Sequence, residues 1–391
     1  MTVKPLQLLA AVAEEKACGQ APALAPRPLL VCLSHLRWGF VYQRPQHLMS
    51  RMARRYDVLF FEEPLPADGA TAYLDVFPQP SGVTVVTPRL PAGLDAAHTD
   101  ASLRDLLDGY LRDNPHPELL LWYFTPMSLT FSEHLAPRVT IYDCMDELSA
   151  FHGAPPELVA REKQLLARAD VVFTGGVSIW EAKRTQHANA HAMPSSVDIA
   201  HFGAARNGLA EPEDQASIAH PRLGFFGVID ERFDIALVEA VARQRPEWQW
   251  VILGPVVKID PASLPQLPNI HYLGGKAYDQ LPAYLSGWDV ATMPFARNEA
   301  TRFISPTKTP EYLAGGCPVV STSITDVVRT YGNSEVVHIA DEPASFIAAV
   351  EQALTQRQAP KQLRAAADEA LEGMSWDNTW NAMMEQIQCL G

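Results

Sequence analysis

Residues 303–326 read FISPTKTPEYLAGGCPVVSTSITD. A helix-forming run, a double glycine and a β-rich apolar run follow one another without a break. Ser305 is a good N-cap and Pro306 suits the first helical position. The stretch therefore predicts a helix through TKTPEYLA that stops at Gly315-Gly316, then a strand in CPVVSTSI. Pro310 is tolerated because its missing N–H falls near the unpaired helix start. The free N–H groups there, with Lys308 beside them, suit an anion of phosphate size. Glu311 lies one turn after Thr307, so both face one side. A carboxylate in that place accepts hydrogen bonds from hydroxyls such as those of a ribose. Ser305, Thr307, Lys308 and Glu311 thus form a candidate nucleoside-diphosphate site. The same pattern also suits a capped core helix with Lys308 and Glu311 in solvent.

The strand–helix grammar extends in both directions. Apolar β-rich runs occupy 28–34, 57–63, 83–90, 119–125, 139–145 and 170–176, and again 222–229, 248–256, 269–275, 288–295, 317–324 and 336–341. Helical spacing separates several of them, as at 45–55 and 157–168. Nearly continuous apolar runs are strands covered on both faces, and alternation with helices implies parallel sheets. The expected fold is α/β, with two Rossmann-like domains facing each other across a cleft, where such sheets bind ligands. The expected segments are an N-terminal extension (1–27), a first Rossmann-like domain (28–205), a linker (206–221), a second (222–373) and a C-terminal helix crossing back (374–391).

Composition narrows the function. A chain of 391 residues with 47% hydrophobic content suits two domains. A net charge of −14 argues against a nucleic-acid partner. The five cysteines are odd in number, widely spaced and form no CxxC pair. That argues against a disulfide framework and a structural zinc site, and suits a reduced, cytoplasmic setting. No apolar run reaches the length of a membrane span. RMARRYD (51–57) is a candidate peripheral contact with the inner face of a membrane, or a solvated helix end.

The segment SPTKTPEYLAGGCPVVSTSI resembles the donor-binding signature of GT-B glycosyltransferases in the clan around families 1 and 4. Other segments carry the likeness further: RLGFFGVIDERFD (222–234), NIHYLGG followed by YDQLPAYLSGWDVATMPF, PSSVDIAHF (194–202) and MSWDNTWNAMMEQI (374–387). The overall pattern is similar to bacterial exopolysaccharide and teichuronic-acid-type enzymes. The resemblance implies that Glu311 contacts the ribose and that the helix start faces the diphosphate. It also implies that Gly227 lets the backbone approach the phosphates, that Arg232 supplies a cation and that Gly274 lines the nucleobase pocket. Family members often carry two glutamates separated by seven residues. Phe303 stands in the first place here, so the retaining stereochemistry tied to that pair does not carry over.

The first domain is then expected to hold the acceptor. SHLRWGFVYQRPQHL (34–48) follows the first strand. Trp38 and Tyr42 suit a sugar ring, and Arg44 an anionic group or the loop itself. IYDCMDELSAFHG (141–153) crowds Asp143, Asp146 and Glu147 at a strand's end. Neighbouring carboxylates raise one another's proton affinity, as a general base needs. Asp146 is the first choice of base and Asp143 the second; Asp146 also suits a helix N-cap. With no DxD pattern, no metal or other cofactor is expected. The expected activity is transfer of a sugar from a nucleotide-diphosphate sugar to a hydroxyl on a glycan or lipid-linked acceptor in cell-envelope polysaccharide or glycolipid synthesis. A sugar-nucleotide epimerase of the same fold and a non-catalytic nucleotide-sugar-binding subunit are the alternatives.

Overall fold

The computed structural model describes residues 26–390. The extension expected over 1–27 lies outside the described residues, apart from Pro26 and Arg27. The first sheet contains β1 (Leu29–Ser34), β2 (Asp57–Glu62), β3 (Leu65–Pro66), β4 (Tyr73–Pro78), β5 (Val83–Leu90), β6 (Leu119–Tyr123), β7 (Val139–Cys144), β8 (Val171–Thr174) and β9 (Ala190–Ala192). Its order is β3-β5-β2-β1-β6-β7-β8-β9, and β4 pairs antiparallel with β5 while the other pairs are parallel.

All six residues of β1 are buried. Leu30 and Cys32 enter one apolar cluster, whereas Leu29, Val31 and Leu33 enter another. Alternate side chains therefore fill both faces of the sheet, which explains the unbroken apolar run in the sequence.

The second sheet contains β10 (Arg222–Phe226), β11 (Gln249–Leu253), β12 (Ile270–Gly274), β13 (Val290–Met293), β14 (Val319–Ser321) and β15 (Val337–Ile339), in the order β12-β11-β10-β13-β14-β15. All its pairs are parallel. Each of the twelve expected runs contains one of these strands. The three unexpected strands have a common cause. β4 is mostly exposed, β3 has two residues and β9 is only half-buried, so none needed an apolar run. Residues 206–221 hold a short helix, Glu213–Ala216, against the second domain. There the Trp288 indole N–H donates to Gln215 Oε1 at 2.9 Å.

The C-terminal helix Trp376–Gln388 returns to the first domain. Its Trp376, Trp380, Met383, Met384 and Ile387 join the cluster that also contains Leu48, Met49 and Met52. The basic cluster anchors this helix. Arg51 and Arg54 reach Asp377 at 3.1 and 2.7 Å, and the Arg54 and Arg55 guanidinium groups lie over the Trp380 ring. These arginines are therefore neither a free basic patch nor a purely solvated helix end. No helix among the described residues is long and apolar enough to cross a membrane.

Candidate active site

The helix of the opening stretch runs Lys308–Ala314, with Thr307 at the N-cap position. Ser305 is not the cap. It sits at the domain junction, where a side chain at Gly176 would collide with Ser305 and with the Asp326 carboxylate. Asp326, from the second domain, accepts from the Ser178 N–H at 3.1 Å in the first. Pro310 occupies the first turn, where its missing donor costs no hydrogen bond. Tyr312 ties the helix to the end of β10: its hydroxyl accepts from the Phe226 N–H at 3.1 Å.

That tie places the helix start beside the turn at Gly227. Gly227 has φ +144°, and a Cβ there would stand 2.3 Å from Lys308 Cε. Gly254 seals the turn from the other side, because its own Cβ would meet the Gly227 carbonyl oxygen at 1.8 Å. Gly227→Ala should therefore displace Lys308 and weaken nucleotide binding about tenfold or more, the worth of one charged hydrogen bond. Titration calorimetry would check this, and unchanged affinity would remove Lys308 from the site.

Trp38, Tyr42, Gly227, Arg232, Tyr278, Thr307, Lys308 and Glu311 line one cleft of about 600 Å³ between the domains. Burial pulls the Lys308 ammonium down to about 8, helped by Arg232, and pushes Glu311 up to about 7 against the attraction of Lys308. Each group is thus poorly solvated and has the other as counter-charge, as suits a site for a polar ligand. Arg232 is aimed by Asp230, which it grips through Nε at 2.9 Å and Nη2 at 2.6 Å. Gly274 has φ +71° with open space around it and ends β12, one residue before the cleft-lining Gly275.

The first domain supplies aromatics to the same cleft. Tyr42 stacks on Tyr278 of the second domain with ring centroids 4.4 Å apart, and Tyr278 stacks on His201 at 4.2 Å. Trp38 packs edge-on against Phe60. Neither Tyr278 nor Asp230 was singled out from sequence. Asp230 carried a faint signal, its place two residues before Arg232. Tyr278 carried none, because its partners come from distant segments.

Two expected roles are corrected. Arg44 and Asp143 are each almost fully buried and bind each other: Arg44 Nε lies 3.0 Å from both carboxylate oxygens, and Nη1 donates to the Met193 carbonyl at 2.7 Å. Arg44 is spent on the core and does not meet an acceptor. Asp143 is not an accessible base. Burial raises its pKa while Arg44 opposes the rise. Removing one partner strands a buried charge, so Arg44→Ala should cost about 3–5 kcal/mol. A lowered urea midpoint would show it, and an unchanged midpoint would contradict the structural role.

Asp146 differs. Its carboxylate has no hydrogen-bond partner among the described residues, and it caps no helix: the single turn Leu148–Ala150 begins after Glu147. Burial raises its pKa, while Arg232, Arg44 and Lys308 act in the opposite sense. Two of those cations, Arg232 and Lys308, belong to the second domain and line the cleft, whereas Asp146 itself is not among its lining residues. Glu147 is held elsewhere, 2.8 Å from the buried Lys183 ammonium, which also binds Glu162 at 2.7 Å.

Comparisons with known proteins agree with this geometry. Residues 220–356 match the family described as glycosyl transferases group 1. The chain is 25% identical over 290 residues to the putative teichuronic acid biosynthesis glycosyltransferase TuaH of Bacillus subtilis (strain 168), covering 68% of this chain and 70% of that protein. Among solved structures it superposes on sucrose-phosphate synthase from Thermosynechococcus elongatus with a TM-score of 0.70 at 14% identity, covering 93% of this chain and 99% of that one. Alr3699/HepE of Anabaena, solved in complex with UDP and glucose, gives 0.66 at 14% identity over 93% and 99% of the two chains. At such identities the structural likeness speaks for the fold. The strand order, the shared cleft and the sequence match together make this chain a GT-B-fold protein that carries a glycosyl transferases group 1 domain at residues 220–356.

Proposed function

We propose that this glycosyltransferase binds a nucleotide-diphosphate sugar in the interdomain cleft and transfers the sugar to a hydroxyl acceptor during polysaccharide synthesis. The observation that carries the reading is the convergence of Gly227, Lys308, Arg232 and Glu311 on one cleft wall. Glu311 takes the ribose hydroxyls. Lys308 and Arg232 meet the diphosphate, with Thr307 and the helix start beside them, and the glycines admit it to the backbone. Trp38 and Tyr42 close the cleft from the first domain. In the reaction the bond from the sugar's anomeric carbon to the diphosphate breaks, with its electron pair leaving on the diphosphate. The acceptor oxygen bonds to that carbon, and its proton passes to Asp146. Lys308 and Arg232 stabilise the charge growing on the leaving group. They supply the role a metal would otherwise fill, so transfer is proposed to be metal-independent.

The match to a transferase family and the relation to TuaH favour transfer over the epimerase and the binding subunit. A cytoplasmic setting is proposed from the buried, free Cys32, Cys144 and Cys317. Contact with a membrane through Arg51, Arg54 and Arg55 forms no part of the reading, since Asp377 and Trp380 engage them.

A thermal-shift series with UDP, GDP, dTDP and ADP, with and without EDTA, tests the donor site on wild type and Glu311→Ala. A ligand that binds only the native state raises the midpoint. One nucleotide should do so regardless of EDTA, and Glu311→Ala should lose the shift. No shift with any nucleotide would sink the donor site.

A further inference from the structure

The two cations of the donor cleft are held in different ways. Lys308 stands at a helix start, whereas Arg232 stands on an irregular turn with its side chain 23% exposed. The second domain fixes the backbone of that turn. The Ala296 N–H donates to the Arg232 carbonyl at 2.7 Å, and Asn298 Nδ2 donates to the Glu231 carbonyl at 2.8 Å. It restrains only one edge of the side chain. The Asp230 carboxylate takes Nε and Nη2, while Nη1 has no hydrogen-bond partner among the described residues.

The first domain covers the guanidinium face. The Arg232 guanidinium carbon lies 5.5 Å from the centroid of the Phe151 ring. The next residue grips the same turn, since the His152 N–H donates to Glu231 Oε1 at 3.0 Å. Phe151 and His152 lie between β7 and the helix Leu158–Leu166, in the segment that also carries Asp146. An aromatic ring suits this place better than a polar group. Its negative face attracts the guanidinium and consumes no N–H. A carboxylate or an amide there would compete for Nη1, the donor left for a ligand. Held at one edge alone, an arginine still samples several rotamers, and freezing them on binding costs affinity. The ring removes that freedom beforehand.

Resting on the transferase reading, we infer that Phe151 is a positioning residue: its ring, brought by the first domain, holds the Arg232 guanidinium ready for the donor diphosphate. Phe151 itself does not touch the diphosphate and acts through Arg232. The cation of the second domain is therefore fully organised only with the first-domain segment 146–152 docked on it.

Titration calorimetry on the full chain tests this with whichever of UDP, GDP, dTDP and ADP gives the largest thermal shift, and with the matching monophosphate. Phe151→Leu keeps an apolar side chain and removes the aromatic face, while Phe151→Tyr keeps the face. Phe151→Leu should weaken the diphosphate about tenfold, the worth of a partly desolvated cation–π contact, and the monophosphate by much less. Phe151→Tyr should bind as wild type does. In an Arg232→Gln background, Phe151→Leu should have no further effect, because a residue that acts through another adds nothing once that other is gone. Lost packing alone would weaken both nucleotides equally and would persist in the Arg232→Gln background. Either of those results, or an unchanged diphosphate affinity in Phe151→Leu, would overturn the assignment and leave the donor site standing. If no nucleotide shifts the wild type, the transferase reading falls, and the role of Phe151 falls with it.

Discussion

Lys308→Met should lower turnover by roughly 10²–10³-fold, the loss typical of removing one preorganised group from a developing negative charge. The ammonium lies over Gly227 in the cleft, and burial has already stripped much of its water. It therefore needs little reorganisation to meet a diphosphate. The substitution should leave stability nearly unchanged. Glu311 titrates near 7 even with Lys308 beside it, and without that cation it rises further and takes up a proton rather than remaining a stranded charge. A urea midpoint close to wild type, beside the kinetic loss, would separate chemistry from folding. The pH dependence gives a second readout. The free protein loses the Lys308 ammonium as pH rises past about 8, so binding a diphosphate above that point requires proton uptake. Wild-type donor affinity should then fall as pH rises through that range, and Lys308→Met should lack this limb. Full turnover in the variant would remove Lys308 from the mechanism.

Asp146→Asn should reduce kcat by about 10²–10⁴-fold, the range for a lost general base. Asparagine keeps the shape, so nucleotide affinity should change little. Burial raises the Asp146 pKa, so the acid limb of the wild-type kcat profile should lie above the ordinary carboxylate range. Below that pKa the base carries a proton and cannot accept another. The variant should lose this limb. More than a tenth of wild-type kcat, or an unchanged acid limb, would place the base elsewhere. The contrast with Asp143 is physical. The two carboxylates stand three residues apart, yet one is clamped by Arg44 in the core and the other has no hydrogen-bond or ion-pair partner among the described residues.

The fold was legible because burial on both faces leaves its mark in consecutive residues. LLVCLS and VVFT must be strands in a covered sheet, since neither polar alternation nor helical spacing is available to them. The helix start with Lys308 and Glu311 was legible for a related reason, and Gly227 was reached through the family resemblance. A turn of unusual backbone and a short helix after a strand are local structures, and their residues lie close in sequence. The exposed strand β4 left no such mark, because half-solvated edges tolerate most side chains.

The sequence by itself determined two largely parallel α/β sheets and singled out Gly227, Arg232, Thr307, Lys308 and Glu311 of the second domain, but not Tyr278, which lines the same cleft. Only the tertiary structure decided which polar groups are available to a ligand. Arg44 and Asp143 meet across 99 positions of chain, Asp326 crosses to Ser178 over 148, and Arg51 to Asp377 over 326. Whether a charged side chain is spent or free depends on these distant partners. Spacing along the chain carries no record of them, because a charge is neutralised by what is near in space.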